Sequence, residues 1–373
     1  MRFIISRIEL LNGLNIVSRA ASSKSPWPIL TGIKFELTNE GLYLLGSDTD
    51  ISIKTFIPTE LNGNQLISIF DEGSIVLPSR FILDMIRKLE GDKVDIELVD
   101  GLLVKISDAK CSYSLKGIDA HDYPPIDLKT TGSLITLKQS VLKDVISQTV
   151  FATSQKENRP MLTGVNFKID GNVLECVATD TYRLAKKTIT LPEASYFNIT
   201  IPSRSLIEIG KILEDNKDIE IYINEKRVLF YLERTSISSR VISGIYPDTS
   251  KLIPTNFNYK LDVSSSDILS AIDRTSLLSS DKNNIIKLSM GKERVEVSSK
   301  TQEIGSAVER INNFNFEGNR LDISFSAQYV QEAIRAIGSE DVQLFFISDM
   351  KPFIIKNRED DSITQLVLPV RTY

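Results

Sequence analysis

The sequence predicts an α+β chain made of three tandem copies of one domain, and three observations carry this. Segments 74–91 (SIVLPSRFILDMIRKLEG), 198–215 (NITIPSRSLIEIGKILED) and 322–339 (DISFSAQYVQEAIRAIGS) read alike. They recur every 124 residues, so that Pro78, Pro202 and Ser326 coincide. A chain of 373 residues holds that spacing three times, so the repeat fills it. Within each copy the hydrophobic period alternates between the helical and the extended value in the same order.

The first copy opens with a predicted helix at 7–19 carrying Leu10, Leu11, Leu14 and Val17. Its counterparts lie at 137–149, with Val141, Leu142, Val145 and Ile146, and at 264–277, with Ile268, Leu269 and Ile272. Alternating strands follow each. The first two sets share Pro-x-Leu-Thr-Gly from Pro28 and Pro160, with hairpin turns at Asn39-Glu40-Gly41 and Asp170-Gly171-Asn172. A second helix then starts after a Ser or Pro, as helix starts favour. Its stripe is Ile82, Met85, Ile86 and Leu89 in the first copy, and Val330, Ala333, Ile334 and Ile337 in the third. In the second copy, where the helix is predicted over 203–214, Gly210 interrupts the stripe of Leu206, Ile209 and Leu213. Further alternating runs close each copy: Val94, Ile96 and Leu98; Ile219, Ile221 and Ile223; Val342, Leu344 and Phe346.

Each third is therefore two helix-plus-antiparallel-strand units, with the helices covering one sheet face. The Pro-containing joints Tyr123-Pro124-Pro125 and Tyr246-Pro247-Asp248 set the expected boundaries, giving domains 1–125, 126–247 and 248–373. Duplication alone leaves their arrangement in space open.

Composition narrows the function. Apolar residues are 42% and charged residues 25%, with net charge −5, which is ordinary globular chemistry. The opening MRFIISRIELL is too interrupted by charge to read as a signal peptide, and no apolar run approaches membrane-spanning length. Two cysteines, Cys111 and Cys176, fit a reduced, cytoplasmic setting. The only histidine is His121, so a His-based zinc site has no material and a Ser-His-Asp triad has one candidate base. The acids Asp48 and Asp50, or Glu359, Asp360 and Asp361, offer a Mg²⁺ enzyme as the rival reading, but they sit beside turns where solvated carboxylates are the simpler account.

Polar residues repeat in register as well. Arg80 matches Arg204 and Gln328; Asp84 matches Glu208 and Glu332; Arg87 matches Lys211 and Arg335. Summed over the six predicted helices the charge is +2, so mildly positive helices sit on an acidic body. That suits a weak phosphate-facing surface, and equally a solvated face; no basic tract points to a sequence-reading DNA binder.

At VATDTYRLA (177–185), RPMLTGV (159–165), IPSRSLIEI (201–209), YPDTSKLIP (246–254) and LVLPVRTY (366–373) the chain resembles the bacterial DNA polymerase III beta subunits, the replicative sliding clamps. The resemblance covers the whole chain. It implies a head-to-tail homodimer closed into a ring, helices inside and sheets outside, around duplex DNA bound without regard to sequence. Such a ring confers processivity by tethering the replicative polymerase alpha subunit, with no catalytic centre, metal or cofactor. Implied partners are the clamp loader and other clamp-motif proteins: repair polymerases, ligase and mismatch-repair proteins. The implied setting is cytoplasmic and nucleoid-associated, with no membrane. A ring holds DNA topologically, so weak contacts suffice and permit sliding.

Residue by residue, the resemblance implies a partner-peptide pocket of Leu162, Thr179, Tyr182, Arg183 and Leu184; Pro247, Lys251 and Leu252; and Met350, Pro352, Leu368, Pro369 and Val370. Apolar side chains and Met would form the groove, with Thr179 and Arg183 as polar fixings. Thr181-Tyr182 stands where the family often has Gly-His, and Lys251 where Arg is common. Implied DNA contacts are Lys24, Arg80, Gln155, Lys156, Arg159 and Arg204. Trp27, beside Lys24, is read as a packing residue rather than a base-stacking one, given its flanking prolines and Ile29-Leu30. The implied dimer contact uses a strand with Tyr113 and Leu115, and Leu277 and Leu278 at a helix end; adjacent helical residues diverge by about 100°, so one exposed leucine would suit an interface, with interior packing of both by a bent terminus as the alternative.

Overall fold

The computed structural model describes residues 1–21, 27–279, 284–301 and 304–371. Contacts divide the chain into two compact units, Met1–Val141 with Ile207–Val241, and Leu142–Leu206 with Ile242–Tyr373. The middle repeat is thus shared between them.

Six helices appear where the apolar stripes place them: α1 (Arg7–Val17), α2 (Ser79–Lys88), α3 (Gln139–Thr149), α4 (Ser203–Gly210), α5 (Ser265–Ser276) and α6 (Ala327–Ile337). The fourth is shorter than expected. It stops at Gly210, whose flexible backbone ends the helix, and only Ile212 N–H to Ile209 C=O continues the turn. Leu213 is nonetheless buried, so the stripe reaches the core without helix beneath it. By contrast α6 ends on Gly338 at φ 70°, the left-handed position that glycine occupies without strain.

The first unit contains a two-stranded sheet, Glu60–Leu61 with Asn64–Gln65, and two large antiparallel sheets. One has five strands, running in space from Ser112–Lys116 through Leu103–Ser107, Lys93–Asp100 and Arg2–Ser6 to Ile67–Asp71. The other has eight and includes a joint between repeats. There Ile51–Pro58 of the first repeat pairs with Thr235–Arg240 of the second, Ile53 facing Ile237 and Thr55 facing Thr235. Helix α1 packs on α2 and on the Ile51–Pro58 strand, burying Leu10, Leu14 and Val17.

The second unit repeats the plan. Its seven-stranded sheet joins Arg183–Pro202 of the second repeat to Ile363–Val367 of the third, Ala185 facing Gln365. A four-stranded sheet runs from Gly305–Ile311 to Leu321–Ser326. Helices α5 and α6 close over a core that includes Ile268, Ile272, Val330, Ile334, Phe325, Phe346 and Phe353. The alternation read from the sequence is what the burial shows: Val342, Leu344 and Phe346 are all fully buried on one face.

Among the strands that end their sheets are Ser112–Lys116 in the first unit and Gly305–Ile311 in the second. The first of them carries the expected dimer residues Tyr113 and Leu115. Tyr113 is half-buried and Leu115 buried. Of the two leucines after α5, Leu277 is 78% exposed and Leu278 half-buried.

Candidate functional site

The clearest candidate site lies in the second unit and grows from a small apolar cluster. Leu162, Val177, Leu184, Tyr246, Ile354 and Leu366 are buried together, with Met161, Ile253, Phe257, Phe345 and Leu368 packed half-exposed around them. Each comes from a different local rule. Leu162 sits in the one-turn helix Pro160–Thr163, started by a proline. Leu184 and Leu366 face each other across the strand joint. Tyr246 is anchored by the Pro247 joint, and burial pushes its phenol well above its usual range. Leu368 is held by its N–H donating 2.9 Å to the Tyr182 carbonyl, and Val370 by its N–H donating 2.7 Å to that of Ser324.

The structure therefore brings Leu162, Leu184 and Leu368 into one apolar cluster. Tyr182 stands exposed at its side, its ring 6.5 Å from that of Tyr329. Pro247, Lys251, Leu252 and Met350 are exposed on segments adjoining the cluster, and Pro352, Pro369 and Val370 are half-buried. Val177, Tyr246, Ile354 and Leu366 were missed as floor residues. Tyr246 was legible as the residue before the repeated proline, but the other three look like ordinary alternating strand positions.

Thr179 and Arg183 correct an expectation: they are not free fixings for a ligand. Both are buried. Thr179 Oγ1 donates to the Arg183 carbonyl at 2.6 Å and accepts from the Thr181 N–H at 3.1 Å. The Arg183 guanidinium donates through Nε to Asp180 (3.0 Å), through one Nη to Glu332, and through the other to the Phe151 carbonyl (2.6 Å). It also lies over the Tyr329 ring at 4.5 Å and the Phe151 ring at 5.3 Å. Such a network pins the second repeat to the third beneath the groove.

Asp180 organises the loop above. Its Oδ1 accepts from the Tyr182 and Arg183 N–H groups, and Thr181 takes φ 80°, a strained value for a β-branched residue. The same turn recurs at Ser47-Asp48-Thr49-Asp50, where Asp48 Oδ1 accepts from Asp50 and Ile51 and Thr49 has φ 81°. The recurrence marks it as part of the repeat's architecture.

Three expected DNA contacts fall beside this groove. Gln155, Lys156 and Arg159 line a cavity of about 380 Å³ with Leu162, residues 180–183, Gln328 and Tyr329. Arg80 and Arg204 are exposed on the first turns of α2 and α4. Lys24 lies outside the described residues. The basic positions seven residues further along are partly neutralised: Arg87 meets Asp84 at 3.2 Å, and Lys211 meets Glu208 at 2.8 Å. Trp27 departs from its expected packing role, being 57% exposed while its neighbour Leu30 takes the buried place.

The acids of the enzyme reading are engaged elsewhere. Asp360 holds Lys187 at 3.0 Å, Asp361 holds Lys356 at 3.2 Å, and Asp50 holds Arg240 at 2.8 Å. Among the described residues, no group of three His, Cys, Asp or Glu could hold a metal ion.

Comparison with known proteins agrees with this geometry. Residues 1–127 match the family "DNA polymerase III beta subunit, N-terminal domain", 136–248 its central domain and 250–371 its C-terminal domain. The chain is 42% identical to a Beta sliding clamp of Staphylococcus epidermidis over 376 residues, and 41% identical to one of Staphylococcus aureus, covering both chains completely in each case. Among solved structures it is similar to the DNA polymerase sliding clamp from Bacillus subtilis, with 41% identity, a TM-score of 0.95 and complete coverage of both chains. A DNA polymerase III beta chain from Streptococcus pneumoniae gives 35% identity and the same TM-score, again over all of both chains.

Proposed function

The chain belongs to the DNA polymerase III beta subunits, the beta sliding clamps, and from that premise we propose how its own residues do the clamp's work. Clamps of this family are non-catalytic processivity factors that act as homodimeric rings on DNA, and this chain is one of them. Its three repeats are domains 1–125, 126–247 and 248–373. Two copies meet head to tail through Tyr113 and Leu115 on one side and Leu277 and Leu278 on the other. The observation that supports this best is that Ser112–Lys116 and Gly305–Ile311, each at the end of its sheet, are the repeat counterparts of strands that are joined inside the chain.

DNA is held by enclosure, with Arg80, Arg204, Lys24, Gln155, Lys156 and Arg159 as sequence-blind contacts to phosphate. The acids that neutralise Arg87 and Lys211 keep those contacts weak, which favours sliding over sticking. The apolar floor of Leu162, Leu184 and Leu368, with Tyr182, Leu252 and Met350 around it, takes a short peptide bearing apolar anchors. The polymerase alpha subunit, the clamp loader, repair polymerases, ligase and mismatch-repair proteins would compete for it, in a cytoplasmic, nucleoid-associated setting.

Retention on circular against linearised plasmid, with clamp loader and ATP supplied, tests the reading. Retention on the circle with rapid loss from the linear form is expected. Equal retention would show ordinary electrostatic binding, and equal loss would show that no closed ring forms.

A further inference from the structure

In each repeat the strand leading into the first helix lies in an antiparallel sheet, and its two flanks can be compared repeat by repeat. Arg2–Ser6 lies between Lys93–Asp100 and Ile67–Asp71. Tyr259–Ser264 lies between Asp341–Phe346 and Phe314–Glu317. Their counterpart Ser133–Lys138 pairs with Asp218–Ile223 on one side and, among the described residues, ends its sheet on the other. The middle repeat therefore lacks a strand that the outer repeats supply from their own chain.

The backbone phase of the bare flank is fixed. Arg7, Gln139 and Ser265 are equivalent, and their N–H groups donate to the carbonyls of Asp92, Lys217 and Glu340 at 2.8, 2.9 and 2.8 Å. Antiparallel pairing alternates from there. Ser133, Ile135 and Leu137 bond to Asp218–Ile223, while Leu134, Thr136 and Lys138 aim their N–H and C=O groups away from it. In the first repeat the outward donor equivalent to Lys138, Ser6 N–H, reaches the Leu66 carbonyl at 2.9 Å. The bare flank also marks the core: Ile135 and Leu137 are each 7% exposed, whereas Phe3 and Ile5, their counterparts in the first repeat, are 0%.

The strands that cover the outer repeats show what fits. Opposite the places of Leu137, Thr136 and Ile135 they set an apolar, a polar and an apolar residue: Ile67, Ser68 and Ile69 in one, Phe314, Asn315 and Phe316 in the other. The next pairing sets an acid against a cation, Asp71 opposite Arg2 and Glu317 opposite Lys260, the latter pair 3.9 Å apart. In the middle repeat Leu134 replaces that cation. It is 48% exposed and stands opposite Tyr222, with exposed Tyr231 on the strand beyond and on the same face.

We propose that this flank takes an extended segment of a partner protein as an added strand, apolar, polar and apolar opposite Leu137, Thr136 and Ile135, and apolar rather than acidic opposite Leu134. Main-chain bonds at Leu134, Thr136 and Lys138 hold the segment, and its apolar residues complete the cover over Ile135 and Leu137. The absent cation sets the choice, because an acid-ended strand would bring a carboxylate against Leu134 and Tyr222 with no charge to meet it. The flank shares no residue with the groove around Leu162.

Two synthetic peptides of residues 64–72 test this on the full chain, NQLISIFDE as it stands and with Asp71→Leu. Amide exchange at Leu134, Thr136 and Lys138 is the readout. With the Asp71→Leu peptide at about ten times its dissociation constant these amides should slow about tenfold, the mass-action factor, while the unaltered peptide binds more weakly. Thr136→Pro removes the central outward donor at an edge position that tolerates proline, and should abolish the slowing. Leu134→Lys restores the cation of the outer repeats, and should reverse the preference between the two peptides. No slowing with either peptide, or slowing that survives Thr136→Pro, overturns the added strand. A preference that Leu134→Lys leaves unchanged overturns the chemistry assigned to the partner. Slowing of the same amides with rising protein concentration and no peptide would give the flank to a second copy, and overturns the choice of occupant.

Discussion

At the scale of single residues, function rests on side chains whose roles depend on distant partners. Arg183 was readable as a cation beside a groove, but Glu332 and Phe151, which occupy it, lie 149 and 32 positions away. Replacing Arg183 by Met should strip the largely buried Asp180 carboxylate of its cation, leaving it only backbone donors, and cost about 3 kcal/mol, the scale for breaking a buried ion pair. A denaturation midpoint unchanged from the parent would show that the pin bears no stability. Asp108 acts at the turn leading into the Ser112–Lys116 edge. Its carboxylate accepts from the N–H groups of Lys110, Cys111, Gly91 and Glu90, which lower its pKa to about 2. A depressed carboxylate stabilises the fold above its unfolded pKa, and that contribution fades as pH falls through the folded value. The turn should therefore weaken between about pH 4 and pH 2. A carboxyl NMR titration of Asp108 with its midpoint near 4 would contradict this.

At the scale of elements, the sequence was most legible where periodicity repeats. Five of the six helices fall close to their expected ranges, and α4 is short because glycine ended it where the apolar stripe did not. The apolar groove was half legible. Its motif residues were findable, but Val177, Ile354 and Leu366 were not, because strand alternation does not say what stands opposite a residue in the next repeat. The segment after Val367 shows how an extended stretch becomes part of a site: backbone hydrogen bonds from Leu368 and Val370 tie it down beside Tyr182 and Ser324. Removing residues 369–373 should abolish binding of an apolar-anchored peptide in a titration while leaving the dimer intact. Unchanged affinity would place the pocket elsewhere.

At the scale of the whole molecule, repeat number and fold class were plain from the 124-residue spacing, whereas the division into compact units was not. The sequence marks boundaries at Tyr-Pro joints; contacts instead draw the halves of the middle repeat toward different neighbours, because strand pairing across a joint outweighs the hinge beside it. The first joint has a consequence in time. Ile51 must wait for Ser239, so during synthesis the edge of the first repeat stays open for 188 further residues. At ordinary translation rates that is roughly ten to forty seconds. An exposed edge strand is a template for wrong pairing throughout that interval. The outward Lys54, seated over the Tyr43 ring at 4.2 Å, puts a charge in the middle of that waiting edge. The nascent chain is thus guarded against its siblings at the very strand it must later pair.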